Sequence, residues 1–511
     1  MRTPAVALAL AALAAGSAGQ SLGLDIAGGL FNEPLRLTVS GGQPGDFWVL
    51  AFAPTQGPLP LGAVDPLDPR FLDLDIDMFS LPGFFGTVPA PDPTFVFVNT
   101  NPGLVGLHLY SQSFTLPGSP TLVDQISNGV VLVFAPGHGV SIDTLQLPLF
   151  NRAFLAGAET ASGNHVLLGG NEGSLQGGTY KKVTEQFDRK LQTFTAGTDL
   201  QTERAFAAAV ALDDGRVLIC GGCDDLAVPQ ASADLYDPAT NTSTPTGSMA
   251  HVRYFHSLVK LADGRVLALG GSTATDASSP IAAAIAIVSS ATDSAEIYNP
   301  ATGTWSNATA MPWKRTGVSA ARLPDGTVLV AGGGGPGILS LPSFFATSGR
   351  YQPTTNSWLP LPNMPGSTRA LATTTVLGDG DVLVTGGANG SLATLSVTAL
   401  SDVTRFDAAT NTWSAKASML QARAGHSATY FPSNDTVVVC GGGSGDVLLP
   451  QVTKNVERFD GNAWTPIGQT DWERAFHYAA RTKDGERVFL YGGVANLGFT
   501  PPTATAEFFA P

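Results

Sequence analysis

Cysteine is nearly missing from this chain, with three residues in 511. Cys220, Cys223 and Cys440 cannot build a disulfide framework, so the fold must rest on apolar cores. Cys220-Gly221-Gly222-Cys223 has C-x-x-C spacing. Neither a second ligand pair nor a helix start accompanies it, which argues against a redox or zinc site. The thiols read as small buried side chains or as one local disulfide. Histidine is scarce too, at seven. Charged residues are only 13%, and 41 acids against 27 bases leave a net charge of −14. Phosphate backbones need a basic footprint, so nucleic acid is excluded as a partner. Long apolar runs are missing except at the start, where Met1-Arg2-Thr3 leads into an alanine-rich stretch, Ala5 to Ala15, and then Gly16-Ser17-Ala18-Gly19. That stretch is short for a membrane span and has the layout of a secretory signal peptide, residues 1–19. The expected mature chain is secreted, periplasmic or held at the cell surface. It carries no span after cleavage and no lipid-accepting cysteine.

Glycine and proline are abundant, at 59 and 36, which suits a turn-rich all-β protein. A glycine pair recurs seven times, each after a short apolar run: Gly169-Gly170, Gly221-Gly222, Gly270-Gly271, Gly332-Gly333, Gly386-Gly387, Gly441-Gly442 and Gly492-Gly493. The intervals are 52, 49, 62, 54, 55 and 51 residues. A fixed period of about 50 marks a repeat architecture. An arginine precedes each pair by 17 or 18 residues: Arg152, Arg204, Arg253, Arg315, Arg369, Arg423 and Arg474. Between arginine and glycines lie two apolar runs split by Asp-Gly, as at Asp214-Gly215 and Asp325-Gly326. Asp-Gly there predicts a hairpin with a type I′ turn. The second run, such as Val217-Leu218-Ile219, is apolar throughout, as for a strand buried on both faces.

An aromatic follows each glycine pair in a third strand: Phe187, Tyr236, Tyr298, Tyr351, Phe406, Phe459 and Phe509. Five of these have an acid two residues before them, at Glu185, Asp234, Glu296, Glu457 and Glu507; Gly349 and Thr404 stand there in repeats four and five. A tryptophan then opens a fourth strand at Trp305, Trp358, Trp413 and Trp464. Four short strands with Gly-Gly, an aromatic and Trp at fixed offsets resemble the kelch repeat, over about residues 150–511. The resemblance implies an all-β fold, a seven-bladed kelch-type β-propeller of four-stranded antiparallel blades, or six if the first unit is degenerate. The last unit ends at its third strand. A segment upstream, Val140 to Leu147, is the candidate for the missing outer strand, which would close the ring and remove an exposed edge. The domain plan is therefore 20–139, a small β-sandwich built from runs such as Leu35–Val39 and Phe47–Phe52, and 140–511, the propeller. In the first of these, Asp73, Asp75 and Asp77 share a strand face. They point in parallel and lack a glycine-bearing loop, so a solvated face is preferred to a calcium site.

The seven arginines would stand where the innermost strands begin, on the same face as the loops after the glycines. Their guanidinium groups there could bind a carboxylate or an anionic sugar. They could instead pair with the acid before the aromatic, or with a carbonyl, and tie the blades; a residue present in every blade favours that role. His256, His426 and His477 share the position three after the arginine and are further ligand-binding candidates. Blade three lies across the ring from blades six and seven, so joint metal coordination is not expected and no metal or cofactor is assigned. Kelch propellers also occur in copper-radical oxidases similar to galactose oxidase, whose tyrosine–cysteine and histidine ligand set does not map onto these residues. No catalytic residue is singled out. The expected function is a monomeric, non-catalytic module binding a protein or carbohydrate through loops 272–294, 334–348 and 388–401. The alternative is a carbohydrate-active enzyme, a sugar oxidase or an epimerase or mutarotase. The run Pro280 to Val288 would form a lip over the channel, a partner contact, a short helix or an extra strand.

Overall fold

The computed structural model describes residues 139–511 apart from 145, 173–178, 225, 277, 393, 395, 447–450, 484, 486 and 496–504. Before residue 139 it describes nine strands and residues 126–127. The signal segment, Asp75 and Asp77 lie outside the described residues. Contacts divide the chain into two units: Met1–His138 with Arg189–Gln192, and Gly139–Asp188 with Thr193–Pro511.

In the first unit, Gly23–Gly28, Pro34–Ser40 and Thr94–Val98 form a three-stranded antiparallel sheet. Phe84–Thr87, Phe47–Ala53, His108–Leu116 and Val130–Val133 form a four-stranded one. Gly23–Gly28 contacts both His108–Leu116 and Val130–Val133. Leu24, Leu37, Val39, Leu50 and Phe52 are buried, supplying the apolar core that short strands need.

The second unit is a β-propeller of seven four-stranded antiparallel blades. Blade two is representative, with strands Ala208–Ala211, Val217–Cys220, Ala233–Asp237 and Thr242–Thr246 paired in chain order. Every second strand is buried along its whole length, as its unbroken apolarity predicts. The hairpin turns differ from the expected type I′. In the turn at Asp214-Gly215 only the glycine has positive φ, +90°. Leu212 N–H donates to Arg216 O and Gly215 N–H to Leu212 O, the pattern of a type I turn followed by a left-handed glycine. The aspartate contributes otherwise: its Oδ1 accepts the Arg216 N–H at 3.0 Å, and Asp263, Asp325 and Asp379 do the same at their turns.

Blade seven is assembled from both ends of its unit. Tyr478–Arg481, Val488–Tyr491 and Ala506–Ala510 are joined by Val140–Asp143, with Val140 opposite Ala510 and Asp143 opposite Glu507. The third-strand aromatics pack between blades. Tyr298 of blade three lies with Leu212, Leu218 and Met249 of blade two. Phe187 of blade one lies with Phe489, Tyr491 and Phe508 of blade seven, so the aromatic seam runs round the closure. Each of the four tryptophans sits 5.0–5.2 Å from its blade's aromatic. Their indole N–H groups reach the preceding blade, for example Trp305 to Gly247 O at 2.8 Å.

Candidate functional site: the loop face and the channel mouth

The glycine pairs and the arginines form one repeated clasp. The second glycine of each blade donates its N–H to the arginine carbonyl of the next blade, at 2.8–3.1 Å. All seven blades make this bond, including Gly493 to Arg152 across the closure. The first glycine lies so close that a Cβ there would stand 2.3–2.7 Å from the same carbonyl oxygen. Both glycines have positive φ in every pair. Backbone approach and left-handed geometry therefore both demand glycine.

The guanidinium groups turn back into their own blades. Nη1 donates to the carbonyl of the first glycine in six blades, at 2.7–3.4 Å. Nη2 meets Glu185, Asp234, Glu296, Glu457 and Glu507 in blades one, two, three, six and seven, at 2.5–3.1 Å. Blade five uses Asp402, which stands four residues before Phe406 rather than two, at 3.4 Å. Blade four places no acid beside its arginine. There Arg315 donates to Lys314 O and Thr347 Oγ1, and its guanidinium lies 3.6 Å from the Phe345 ring centroid. Burial holds the Arg315 pKa down at about 10. The side chains of Arg152, Arg204, Arg253, Arg369, Arg423 and Arg474 are wholly buried. Their hydrogen bonds run to carboxylates and carbonyls inside the ring, which fits the tie and leaves no guanidinium face turned to solvent.

The histidines are also built between blades. Nε2 of His256 lies 3.5 Å from Cys220 Sγ in blade two, that of His426 2.9 Å from Thr385 Oγ1 in blade five, and that of His477 2.9 Å from Ser427 Oγ in blade six. Burial, together with the neighbouring arginines, pushes the pKa of His256 and of His426 down to about 3. These imidazoles are therefore neutral at ordinary pH. The three cysteines are free and buried, and burial raises the thiol pKa of Cys220 and Cys440 to about 12. At that value both thiols stay protonated at ordinary pH.

A feature absent from the sequence reading sits two residues after each arginine. Phe154, Phe206, Phe255, Gly317, Leu371, Gly425 and Phe476 all adopt left-handed backbone conformations, with φ between +51° and +63°. Bulky side chains rarely accept that geometry. Here a belt of hydrogen bonds around the channel mouth holds it: Phe206 N–H to Phe154 O, Phe255 to Phe206, Gly317 to Phe255, Leu371 to Gly317, and Phe476 to Gly425. The rings pack in tilted pairs through blades seven, one, two and three, with centroids 5.1, 4.4 and 4.6 Å apart and planes 37–41° apart. The repeat of phenylalanine after Arg-x was a visible signal.

Above this belt the loops after the glycine pairs form a layer. The run from Pro280 is a helix, Pro280–Ser289, with proline in its first turn and Ser279 Oγ accepting the Ala282 N–H at 3.1 Å. It contacts the hairpin Gly334–Pro336 with Pro342–Phe344, which contacts in turn the hairpin Ala388–Ser391 with Ser396–Ala399. Between these three elements and the belt lies a cavity of about 110 Å³.

Residues 204–250 match the Kelch motif family. They carry the Arg204 clasp and all four strands of blade two. The second unit is a kelch-repeat propeller. Among solved structures this chain is similar to the structure of YjhT, with 15% identity over 63% of this chain and 99% of that one, at a TM-score of 0.46. No curated protein matches the chain. The kelch propeller supplies a generic binding or interaction scaffold, and no helix among the described residues is long and apolar enough to cross a membrane.

Proposed function

We propose that this kelch propeller is an exported, non-catalytic binding module, and that its loop face recognises a protein ligand. The observation that carries the reading is the distribution of exposed apolar side chains. Thirteen large apolar residues are exposed among the described residues. Twelve of them, all but Leu359, lie in loops that follow a glycine pair or lead into an arginine. Those two loop classes pair with each other on one face, as at Ala205 with Cys223 and Thr316 with Gly334. Leu226, Ile338 and Leu339 are 83%, 86% and 89% exposed. Exposed apolar side chains gathered on one face, with Ile338, Leu339 and Leu341 together in one loop, are what an interaction surface presents. A sugar would want clustered hydrogen-bonding groups and a charged side chain, and the exposed stretch from Ile338 to Leu341 carries no charge. The sequence of residues 1–19 supports export.

A photo-reactive amino acid placed at Leu339 is expected to give a discrete adduct with a protein of the surrounding extracellular fraction. The same group at Thr240, in the turn between the outer strands on the opposite face, is expected to give none. Equal labelling from both positions would contradict the reading, as would no adduct together with saturable turnover in a sugar oxidation and epimerisation panel. The second result would favour the carbohydrate-active alternative.

A further inference from the structure

We propose that the cavity at the channel mouth is a binding site for a single aromatic ring, and that it lies where blade four lacks the phenylalanine of its neighbours. The belt position two after the arginine carries a benzyl group in blades one, two, three and seven. Each such ring leans on the preceding blade, as Phe206 does on Phe154 at 4.4 Å and Phe255 on Phe206 at 4.6 Å. Blades four and six have glycine instead, and the two gaps are handled differently. At Gly425 the ring of Phe476 fills the space: a Cβ there would stand 2.8–3.0 Å from three of its ring carbons. At Gly317 the nearest atom to such a Cβ is the flexible Leu371 Cδ2, at 3.2 Å. Phe255 and Leu371 flank this glycine, and all three line the cavity.

The walls decide the chemistry. Ile287 and Val288 of the helix, Phe344 and Val397 of the hairpins, and Phe255 and Leu371 of the belt are apolar. The one side-chain polar group, the Thr316 hydroxyl, already accepts a hydrogen bond from Ser272 Oγ at 2.8 Å. A ligand bringing a hydroxyl or a charge here would lose hydration and find no new partner. A nonpolar ring loses nothing comparable and gains contact with every wall. At about 110 Å³ the space is smaller than the roughly 150 Å³ apolar cavity that accepts benzene, so a single ring is the largest group it takes. The helix and the hairpins cover the site from above, and the loop that carries the helix is the longest of the seven that follow a glycine pair. The same helix and hairpin carry exposed apolar residues, but none of those lines the cavity, so binding of a small ring is read independently of the proposed protein partner.

Toluene is the probe, titrated into the whole mature protein and read by thermal unfolding and by tryptophan-independent one-dimensional NMR line broadening of the toluene methyl signal. Saturable broadening and a Tm that rises by several degrees are expected for the native chain, with neither effect from methyl galactoside. Gly317→Phe restores the belt side chain in a conformation that four sister blades already tolerate. It is expected to abolish both signals while raising the Tm without ligand. Ala284→Leu fills the cavity from the helix and is expected to weaken binding at least tenfold; it decides the matter if Gly317→Phe fails to fold. No saturable effect in the native chain would overturn the proposal. Binding that persists unchanged in the folded filling variants would overturn it equally.

Discussion

Alanine at Gly441 is expected to destabilise the propeller by about 2–5 kcal/mol, the sum of a left-handed backbone penalty and overpacking. Gly441 has φ +62°, and a Cβ there would stand 2.3 Å from Arg474 O and 3.1 Å from His477 Cε1. The carbonyl cannot yield, because it accepts the Gly442 N–H at 2.8 Å and carries the join between blades six and seven. Gly461→Ala provides the control. Gly461 has φ +93° with nothing within 4 Å of its would-be Cβ, so it should show only the backbone part, about 1–2 kcal/mol. Urea denaturation of the two variants checks the difference. Equal losses would mean that close approach at the clasp contributes nothing.

Replacing Arg423 by leucine is expected to cost about 3–5 kcal/mol, the range for breaking a buried ion pair from one side. The Glu457 carboxylate, 2% exposed, would keep the N–H groups of Leu420 and Gln421 but lose the guanidinium at 2.6 Å. The Gly441 carbonyl would lose its donor as well. Arg315→Leu should cost clearly less. Blade four holds no buried carboxylate beside that arginine, and its guanidinium rests on Phe345. A double replacement, Arg423→Leu with Glu457→Leu, should recover part of the loss, since removing both charges leaves neither stranded. If the two single arginine variants were equally destabilised, the acid could not be what fixes the tie.

The propeller was readable because its determinants repeat. Gly-Gly, arginine, aromatic and tryptophan each serve the same contact in successive blades, so alignment of the chain with itself exposes them. Departures from the pattern were harder. Asp402 replaces the acid of blade five from a shifted position, and in blade four an aromatic face takes over from the acid. Sequence spacing alone gives no way to see that either substitute reaches the same guanidinium. The Asp-Gly pairs mark the hairpins but not their geometry, because the residue before the aspartate joins the loop and only the glycine takes positive φ, as at Asp213-Asp214-Gly215. The phenylalanine belt was written in the sequence, yet propensity argues against a bulky residue in the left-handed region. The backbone hydrogen bonds between successive belt residues, five among the described residues, account for it. The cavity was hidden altogether, since it arises from a missing side chain at Gly317 and walls drawn from three loops far apart in the chain.

Closure of the ring by strands from both ends of the unit is the claim on which the rest depends, and deuterium uptake of the peptide 505–511 tests it most directly. Ala506–Ala510 lies between Val488–Tyr491 and Val140–Asp143. Slow exchange, matching that of the second strands, is expected in the native chain. Ile142→Pro, which removes an N–H from the closing strand opposite Phe508, should make that peptide exchange fast while blades two to five keep their protection. Rapid uptake in the native chain, or protection indifferent to Ile142→Pro, would contradict a propeller closed in this way.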